Sequence, residues 1–480
     1  MELTKSVDHP SEKVLIRVRP LVPAGNAELI MKRRPFVQRV APATAVVSTF
    51  AAMPAYSAAR VIGANNRVNL ALIGCGVRGR TVMRDMLAAP NVALAAVCDV
   101  RDRRTSRSRE MFDPHPPGFR DFRRVLEMRD VDAVLVGTPD HWHAIPTILA
   151  CQAGKDVYVE KPLAHNIKEG RAMIEAARRY DRIVQMGTQH RSAPHYREVE
   201  EMVQSGEIGE VRYVRVVNYR GGGRDGDSNS PGRGQGSAPE PAESTPPEDI
   251  DWDMWLGPAP WVPYDADRLN FRPYYDYAGG FITDFGTHRL DSVHQVMRSD
   301  KPVSAMGVGG RFDSSSRGDT PDLLNLTCEY PGWVLSYEAV QLNSFGAGPR
   351  IPGGREPYRS EGNFDRGHGE AFYGTTGTIF TDRAGYEYFP ARGGEPRSVR
   401  GRDCTDLHAL NFIECIRSRA LPSADVEIGH RSTIIPHLGN ISYRVGGRKI
   451  HWDAEREIIV DDPEASALLR REARPPWNMI

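Results

Sequence analysis

Hydrophobic positions change character along this chain. From Arg67 to about Gln185, short branched apolar runs occur at Val68–Ile73, Val92–Val97, Ala133–Val136, Val157–Val159 and Ile183–Met186. Such runs read as strands buried on both faces. Between them, apolar residues at helical spacing mark Thr81–Ala89, Asp121–Met128, Ala144–Ala153 and Lys168–Tyr180. Strands separated by single helices need right-handed crossovers, and therefore a parallel sheet of Rossmann type. A further helix is predicted at Pro194–Gln204, after which Val211–Tyr219 alternates with period two. That alternation suits an antiparallel sheet with one solvated or ligand-facing side. More strand-like runs lie at Val303–Val308, Leu323–Tyr330, Trp333–Gln341 and Gly377–Thr381, and helical patterning returns at Asp406–Arg417 and Glu427–Val445.

Two stretches, 220–250 and 345–369, are rich in Gly and Pro and read as long loops. Residues 1–30 show no periodicity. Arg33 and Arg34 then precede Phe36 and a weakly apolar, uncharged run from Val40 to Ala59, interrupted by Pro42 and Pro54. That run makes a poor membrane span. The pattern resembles a twin-arginine export signal, the alternative being a plain N-terminal arm. On the export reading Met31 is the true start, cleavage falls near Ala55–Ala59, and the mature protein is periplasmic with no membrane anchor. If the signal is not used, the protein is cytoplasmic. The expected division is an upstream and signal region 1–66, a Rossmann domain 67–190, a substrate and oligomerisation domain 191–453, and a tail 454–480.

Composition narrows the classes. The 480 residues allow two or three domains. Lys plus Arg equals Asp plus Glu at 62 each, so no charge excess points to nucleic acid or to a membrane surface. The six cysteines include no CxxC pair, which argues against structural disulfides and a Cys-based zinc site.

The candidate chemistry starts at the first strand, which runs into Gly74-Cys75-Gly76-Val77-Arg78-Gly79. Gly74 allows a tight turn, Gly76 lets a pyrophosphate approach the backbone, and Gly79 lets the helix pack on the strand. The helix N-terminus offers unpaired N–H groups to phosphate. Asp99 ends the second strand, placed to accept hydrogen bonds from a ribose. Strand, turn, helix, strand and acid in this order predict dinucleotide binding. Asp99 favours NAD, while the nearby Arg101, Arg103 and Arg104 keep NADP open.

Thr138-Pro139-Asp140-His141-Trp142-His143 follows the Ala133–Val136 strand, at the carboxyl edge where ligands bind in such sheets. Two histidines at i, i+2 without a third ligand are no metal site, and none is expected. Glu160-Lys161-Pro162 ends the next strand. Lys161 can bind a substrate hydroxyl and stabilise an alkoxide, tuned by burial and by Glu160, although a surface Glu-Lys pair is the plainer alternative. In Gly279–His288, Asp284 and His288 lie one helical turn apart. His288 suits the acceptance of a hydroxyl proton, with Asp284 orienting the imidazole or binding substrate. Gln189, His190 and Arg191 end the last Rossmann strand. They can reach cofactor or substrate, though Arg191 can equally be a structural ion pair. The aromatics Trp252, Trp255, Trp261, Tyr274, Tyr275 and Tyr277 fit a core or interface better than a sugar platform.

Together, the glycine turn, Thr138-Pro139 with His143, Glu160-Lys161-Pro162 and Asp284 with His288 resemble the Gfo/Idh/MocA family (glucose–fructose oxidoreductase, inositol dehydrogenase and relatives). Gly187–Arg191 and Trp252–Pro258 resemble its exported members. The resemblance implies a Rossmann domain followed by an α/β domain with a large, mostly antiparallel open sheet. It implies Lys161, His288 and Asp284 as catalytic residues. The cofactor would be held by Gly74–Gly79, Asp99, Thr138, Pro139, His143, Glu160, Lys161 and Gln189, and the substrate by Lys161, Arg191, Asp284 and His288. A sugar or polyol would exchange a hydride with a tightly held NAD(P), in a homo-oligomer (dimer or tetramer) built through the open sheet. A redox-neutral enzyme that cleaves or epimerises through a transient keto-sugar is the first alternative. A nucleotide-bound sensor or scaffold is the second.

Overall fold

The computed structural model describes residues 67–219, 245–312, 317–341 and 367–480. The expected export signal with Arg33 and Arg34, most of the 220–250 loop and most of the 345–369 loop lie outside the described residues.

The first sheet forms where the branched runs predict it. Its strands are β1 (Val68–Ile73), β2 (Val92–Cys98), β3 (Gly118–Phe119), β4 (Ala133–Val136), β5 (Asp156–Val159) and β6 (Val184–Met186). They lie in the order β3-β2-β1-β4-β5-β6, and every pairing is parallel. Leu70, Leu72, Val134, Val136, Val157 and Val159 are all buried, because helices cover both faces. Those helices include α1 (Val77–Leu87), α2 (Asp102–Met111), α3 (Phe122–Leu126), α4 (Ala144–Gln152) and α5 (Ile167–Arg179). The strand order reverses between β1 and β4, which opens a crevice at their carboxyl ends.

The second sheet has ten strands. They are β7 (Val211–Tyr219), β8 (Ser304–Gly310), β9 (Leu323–Tyr330), β10 (Trp333–Val340), β11 (His368–Gly374), β12 (Gly377–Asp382), β13 (Gly385–Pro390), β14 (Arg397–Arg400), β15 (Ile450–Asp453) and β16 (Ile458–Val460). Their order is β14-β13-β12-β11-β7-β10-β9-β8-β15-β16, with β7 and β10 parallel and the other pairs antiparallel. Alternation decides the faces. Leu324, Leu326, Cys328, Leu335, Tyr337 and Ala339 point into a core shared with the chain's central helices. These are α6 (Pro194–Gln204), α9 (Gly286–Met297) and α11 (Val426–Arg444); α7 (Trp252–Leu256), α8 (Phe281–Asp284) and α10 (Thr405–Ser418) intervene in sequence. On the opposite face Tyr213, Met306, Val308 and Val334 are exposed.

Two segments pack across the expected domain borders. Helix α10 packs on the Rossmann sheet, where Ala409, Phe412 and Ile413 join Leu70, Leu72 and Leu135 in one core. Nor is 454–480 a loose tail. β16 extends the large sheet, and Trp477 is buried with its ring 4.8 Å from that of Trp142. Arg471 pairs with the buried Glu169 at 2.7 Å. An apolar face of α10 and a terminal tryptophan each have to be buried somewhere, and the Rossmann layer supplies the place.

Candidate active site

The glycine turn fits a dinucleotide by its steric geometry. Gly74 has φ +94°, and a Cβ there would stand 2.5 Å from the Gly137 carbonyl carbon. A Cβ on Gly79 would stand 2.4 Å from the Gly74 oxygen, whereas one on Gly76 would meet nothing within 4 Å. The first two glycines therefore serve packing, and the third faces open space in front of the N-terminus of α1. Amides in the first turn of a helix have no intrahelical acceptor, and Gly76 caps α1 with no side chain. This is a cradle for a pyrophosphate.

Asp99 sits at the end of β2, buried beside the turn. One carboxylate oxygen accepts from Cys75 N–H and the other from Arg101 N–H, both at 2.9 Å. Burial pushes its pKa up to about 6, against the pull of Arg104, 3.9 Å away, and of the Cys75 N–H. Lone pairs remain on both oxygens for a ribose. Of the three arginines that leave NADP open, Arg103 pairs with Asp249 and Arg101 is buried. Asp99, Thr138 and Pro139 line a single cleft with Trp142 and Trp255.

At the other end of the crevice, β5 delivers Lys161. Its ammonium donates to both the Oδ1 and the main-chain carbonyl of Asp284, each at 2.5 Å, and lies 5.6 Å from the Phe285 ring centre. Asp284 Oδ2 accepts from Arg272 Nε at 2.7 Å. Burial opposes ionisation of Asp284, but Arg272 and Lys161 together hold its pKa well below the usual carboxylate range. The Lys161 and Asp284 side chains are 12% and 10% exposed. His288 is buried, and among the described residues its Nδ1 has no hydrogen-bond partner. Burial, reinforced by Lys161 and Arg383, pushes its pKa well down, so the ring is neutral. The His190 ring lies 5.3 Å from it. His190 Nε2 accepts from Arg383 Nε at 3.1 Å, so His190 Nδ1 carries the proton and donates to Ser292 Oγ at 3.0 Å.

Several expectations change here. Asp284 does not orient His288: its oxygens accept from Lys161 and Arg272, and no hydrogen bond joins it to the imidazole among the described residues. Glu160 does not pair with Lys161. It binds Arg78 of the glycine turn at 2.7 Å, so Arg78 joins the cofactor loop to the strand that carries the lysine. His143 has Nδ1 2.6 Å from the Pro162 carbonyl and Nε2 3.0 Å from that of Thr138. It braces two loops and turns neither nitrogen to the cleft. Arg191 binds both oxygens of the buried Asp291 at 2.9 Å, which makes it a structural ion pair rather than a substrate ligand. Thr138 Oγ1 and Gln189 Oε1 are buried without partners, so both have acceptor capacity to spare. Val77 is exposed at the mouth of the cradle and Cys75 is buried beneath it. His141 is buried with Nε2 3.0 Å from the Trp255 carbonyl, and no group of three or more metal-ligating side chains occurs among the described residues.

Sequence reasoning missed two members. Arg272 sits in no motif, and only its contact with Asp284 reveals it. Asp140 stands inside Thr138–His143, where the sequence alone assigns it no role. It is buried, faces Asp284, Lys161 and Arg272, and its pKa is pushed up to about 7 by burial and by Asp284. Trp252, Trp255, Tyr274 and Tyr277 form a core cluster, as expected.

Comparison with known proteins agrees with this layout. Residues 68–188 match the model described as "Oxidoreductase family, NAD-binding Rossmann fold". Residues 197–309 and 403–479 match that family's C-terminal alpha/beta domain. The chain is 28% identical to myo-inositol 2-dehydrogenase of Thermotoga maritima over 151 residues, covering 32% of this chain and 45% of that protein. It is 33% identical to a glycosyl hydrolase family 109 protein of Stenotrophomonas maltophilia over 140 residues, covering 27% of this chain and 29% of that one. These alignments span less than half of either relative. Among solved structures, an aldose-aldose oxidoreductase from Caulobacter crescentus superposes with a TM-score of 0.59 at 19% identity, covering 80% of this chain and 99% of that one. One family's two models thus match most of the chain outside 310–402: the chain belongs to the Gfo/Idh/MocA oxidoreductases, and its first domain is an NAD-binding Rossmann fold.

Proposed function

We propose that the protein is an NAD-dependent oxidoreductase acting on a CH–OH group of a carbohydrate or polyol. One observation carries the reading: Lys161, Asp284 and His288 converge at the carboxyl edge of the Rossmann sheet that bears the glycine cradle. Bound NAD supplies a hydride acceptor; the remaining chemistry belongs to the chain. The Lys161 ammonium is oriented by two bonds to Asp284 and can stabilise oxyanion character on the substrate oxygen. His288, kept neutral by its surroundings, is in the proton-accepting form. Asp140 adds a second proton-holding group whose pKa lies near neutrality.

The match to a glycosyl hydrolase family 109 protein favours a second reading, in which oxidation and re-reduction bracket a glycoside cleavage. Both readings expect retained cofactor. Denaturing the purified protein should release about one nicotinamide nucleotide per chain, and a protein that binds none overturns both. Glycoside and polyol panels with product analysis then separate net oxidation from cleavage. A chain that releases nucleotide yet turns over nothing in either panel fits a sensor.

Two further proposals concern the protein's setting. The weakly apolar segment after Arg33 and Arg34 directs export of the folded, cofactor-loaded protein; an Arg33→Lys/Arg34→Lys variant that still leaves the cytoplasm would refute this. The open face with Tyr213, Met306, Val308 and Val334 joins copies of the chain, and a monomer by light scattering at micromolar concentration would refute that.

A further inference from the structure

We propose that the cleft takes a substrate bearing a carboxylate, a sugar acid or uronate, and that Arg272 is the residue that binds this group. The proposal rests on the oxidoreductase reading and names its substrate class. Arg272 follows Phe271 in the segment that leads into α8, with its guanidinium carbon 4.8 Å from the Phe271 ring centre. Only Nε is committed, to Asp284 Oδ2 at 2.7 Å. Among the described residues neither terminal nitrogen makes a hydrogen bond, and neither is sealed from solvent. The side chain stands beside the Lys161–Asp284 pair yet is 42% exposed, in contrast with the sunken Lys161 and Asp284. A planar fork with two free nitrogens, fixed by its third, matches a carboxylate better than it matches a lone hydroxyl.

The charge balance points the same way. Asp284 is a single carboxylate shared by two cations. Glu160 is paired with Arg78 and reaches Arg272 only through longer-range attraction. Asp140 faces the same three groups, but its raised pKa leaves it partly protonated near neutral pH. A neutral polyol leaves this excess uncompensated in a partly desolvated cleft, whereas a carboxylate on the substrate completes it. Bound through Arg272, the carboxylate would stand beside Asp284, with the carbinol to be oxidised reaching toward Lys161.

The test compares D-glucuronate and D-gluconate with D-glucose and sorbitol, using protein purified with its nucleotide. The acids should show the higher kcat/KM. In Arg272→Gln the acid-over-neutral ratio should fall roughly 10- to 100-fold, mostly through KM, whatever the change does to both rates in common. Arg272→Lys should restore part of the ratio. A ratio unchanged in Arg272→Gln would show that Arg272 only holds Asp284, and would overturn the assignment. So would a wild-type preference for the neutral compounds, or for D-glucose 6-phosphate over the acids. Calorimetric binding separates this failure from failure of the oxidoreductase reading. If nothing is turned over, glucuronate binding that is lost in Arg272→Gln still supports the anion site. Equal or absent binding of glucuronate and glucose overturns it.

Discussion

At the scale of single residues, Lys161 and His288 can be separated from cofactor retention. Neither touches the glycine cradle, so Lys161→Met and His288→Asn should keep nucleotide while turnover falls. Loss of one preorganised donor at a developing oxyanion costs on the order of 100- to 1000-fold in kcat. Released nucleotide per chain and the steady-state rate measure the two effects independently. Near-wild-type turnover in both variants would remove them from the mechanism. Asp284→Asn should behave differently. It leaves the largely buried Lys161 without its counter-charge, a loss of roughly 3 kcal/mol. A clear drop in the denaturation midpoint should accompany its loss of activity. These roles were legible to different degrees. Lys161, Asp284 and His288 stand at strand ends or at helical spacing, which sequence displays. Arg272 and the Glu160–Arg78 pair depend on distant segments meeting, which spacing along one segment does not record.

At the scale of elements, the glycine turn holds two kinds of glycine. Gly76→Ala meets open space at an ordinary φ, so the fold should keep its thermal midpoint. The added methyl, however, projects where a pyrophosphate must approach, and bound nucleotide should fall at least tenfold. Gly79→Ala drives a Cβ to 2.4 Å from the Gly74 oxygen and should lower the midpoint as well. Equal effects of the two substitutions on the midpoint would show that this division is wrong. The buried strands of the first sheet were readable because branched apolar runs admit few other fates. Strands β11 and β13 to β16 were not read. β13 and β14 form a sheet edge rich in Gly and Arg, β11 begins inside what reads as a loop, and β15 and β16 are short. Helix α2, DRRTSRSREM, buries only Ser108 and so shows almost no apolar stripe. Its pairing with neighbouring segments, rather than its periodicity, holds it in place.

For the whole molecule, the interior titration sets how stability responds to acid. Burial pushes His141 and His294 down to about 3, and His408 and His437 down to about 4. Five more histidines, including His288, are lowered as well. In the unfolded chain each returns to about 6.5. Below that value the unfolded state binds more protons than the folded one, so stability drops as pH falls from about 6.5 toward 4. Five carboxyls work in the opposite direction, Asp85 and Asp319 being raised by burial without a large shift. Asp99 is raised to about 6, and Asp140 and Glu370 to about 7, each chiefly by burial. Their contribution is fully present below the unfolded value near 4 and is lost as pH rises through 6 to 7. Nine histidines outweigh five carboxyls, so the net slope follows the histidines. Urea midpoints measured between pH 7.5 and 4.5 should therefore fall steadily once the pH passes below about 6.5. His437 is buried with Nε2 3.0 Å from the Ala164 carbonyl, remote from the cofactor cradle. His437→Gln keeps a donor there but removes one titrating group, and should make that fall shallower by about one proton. A midpoint that stays level or rises on acidification would mean that these histidines are already charged in the folded protein. In that case the neutral His288 assumed for the proton transfer would lose its support.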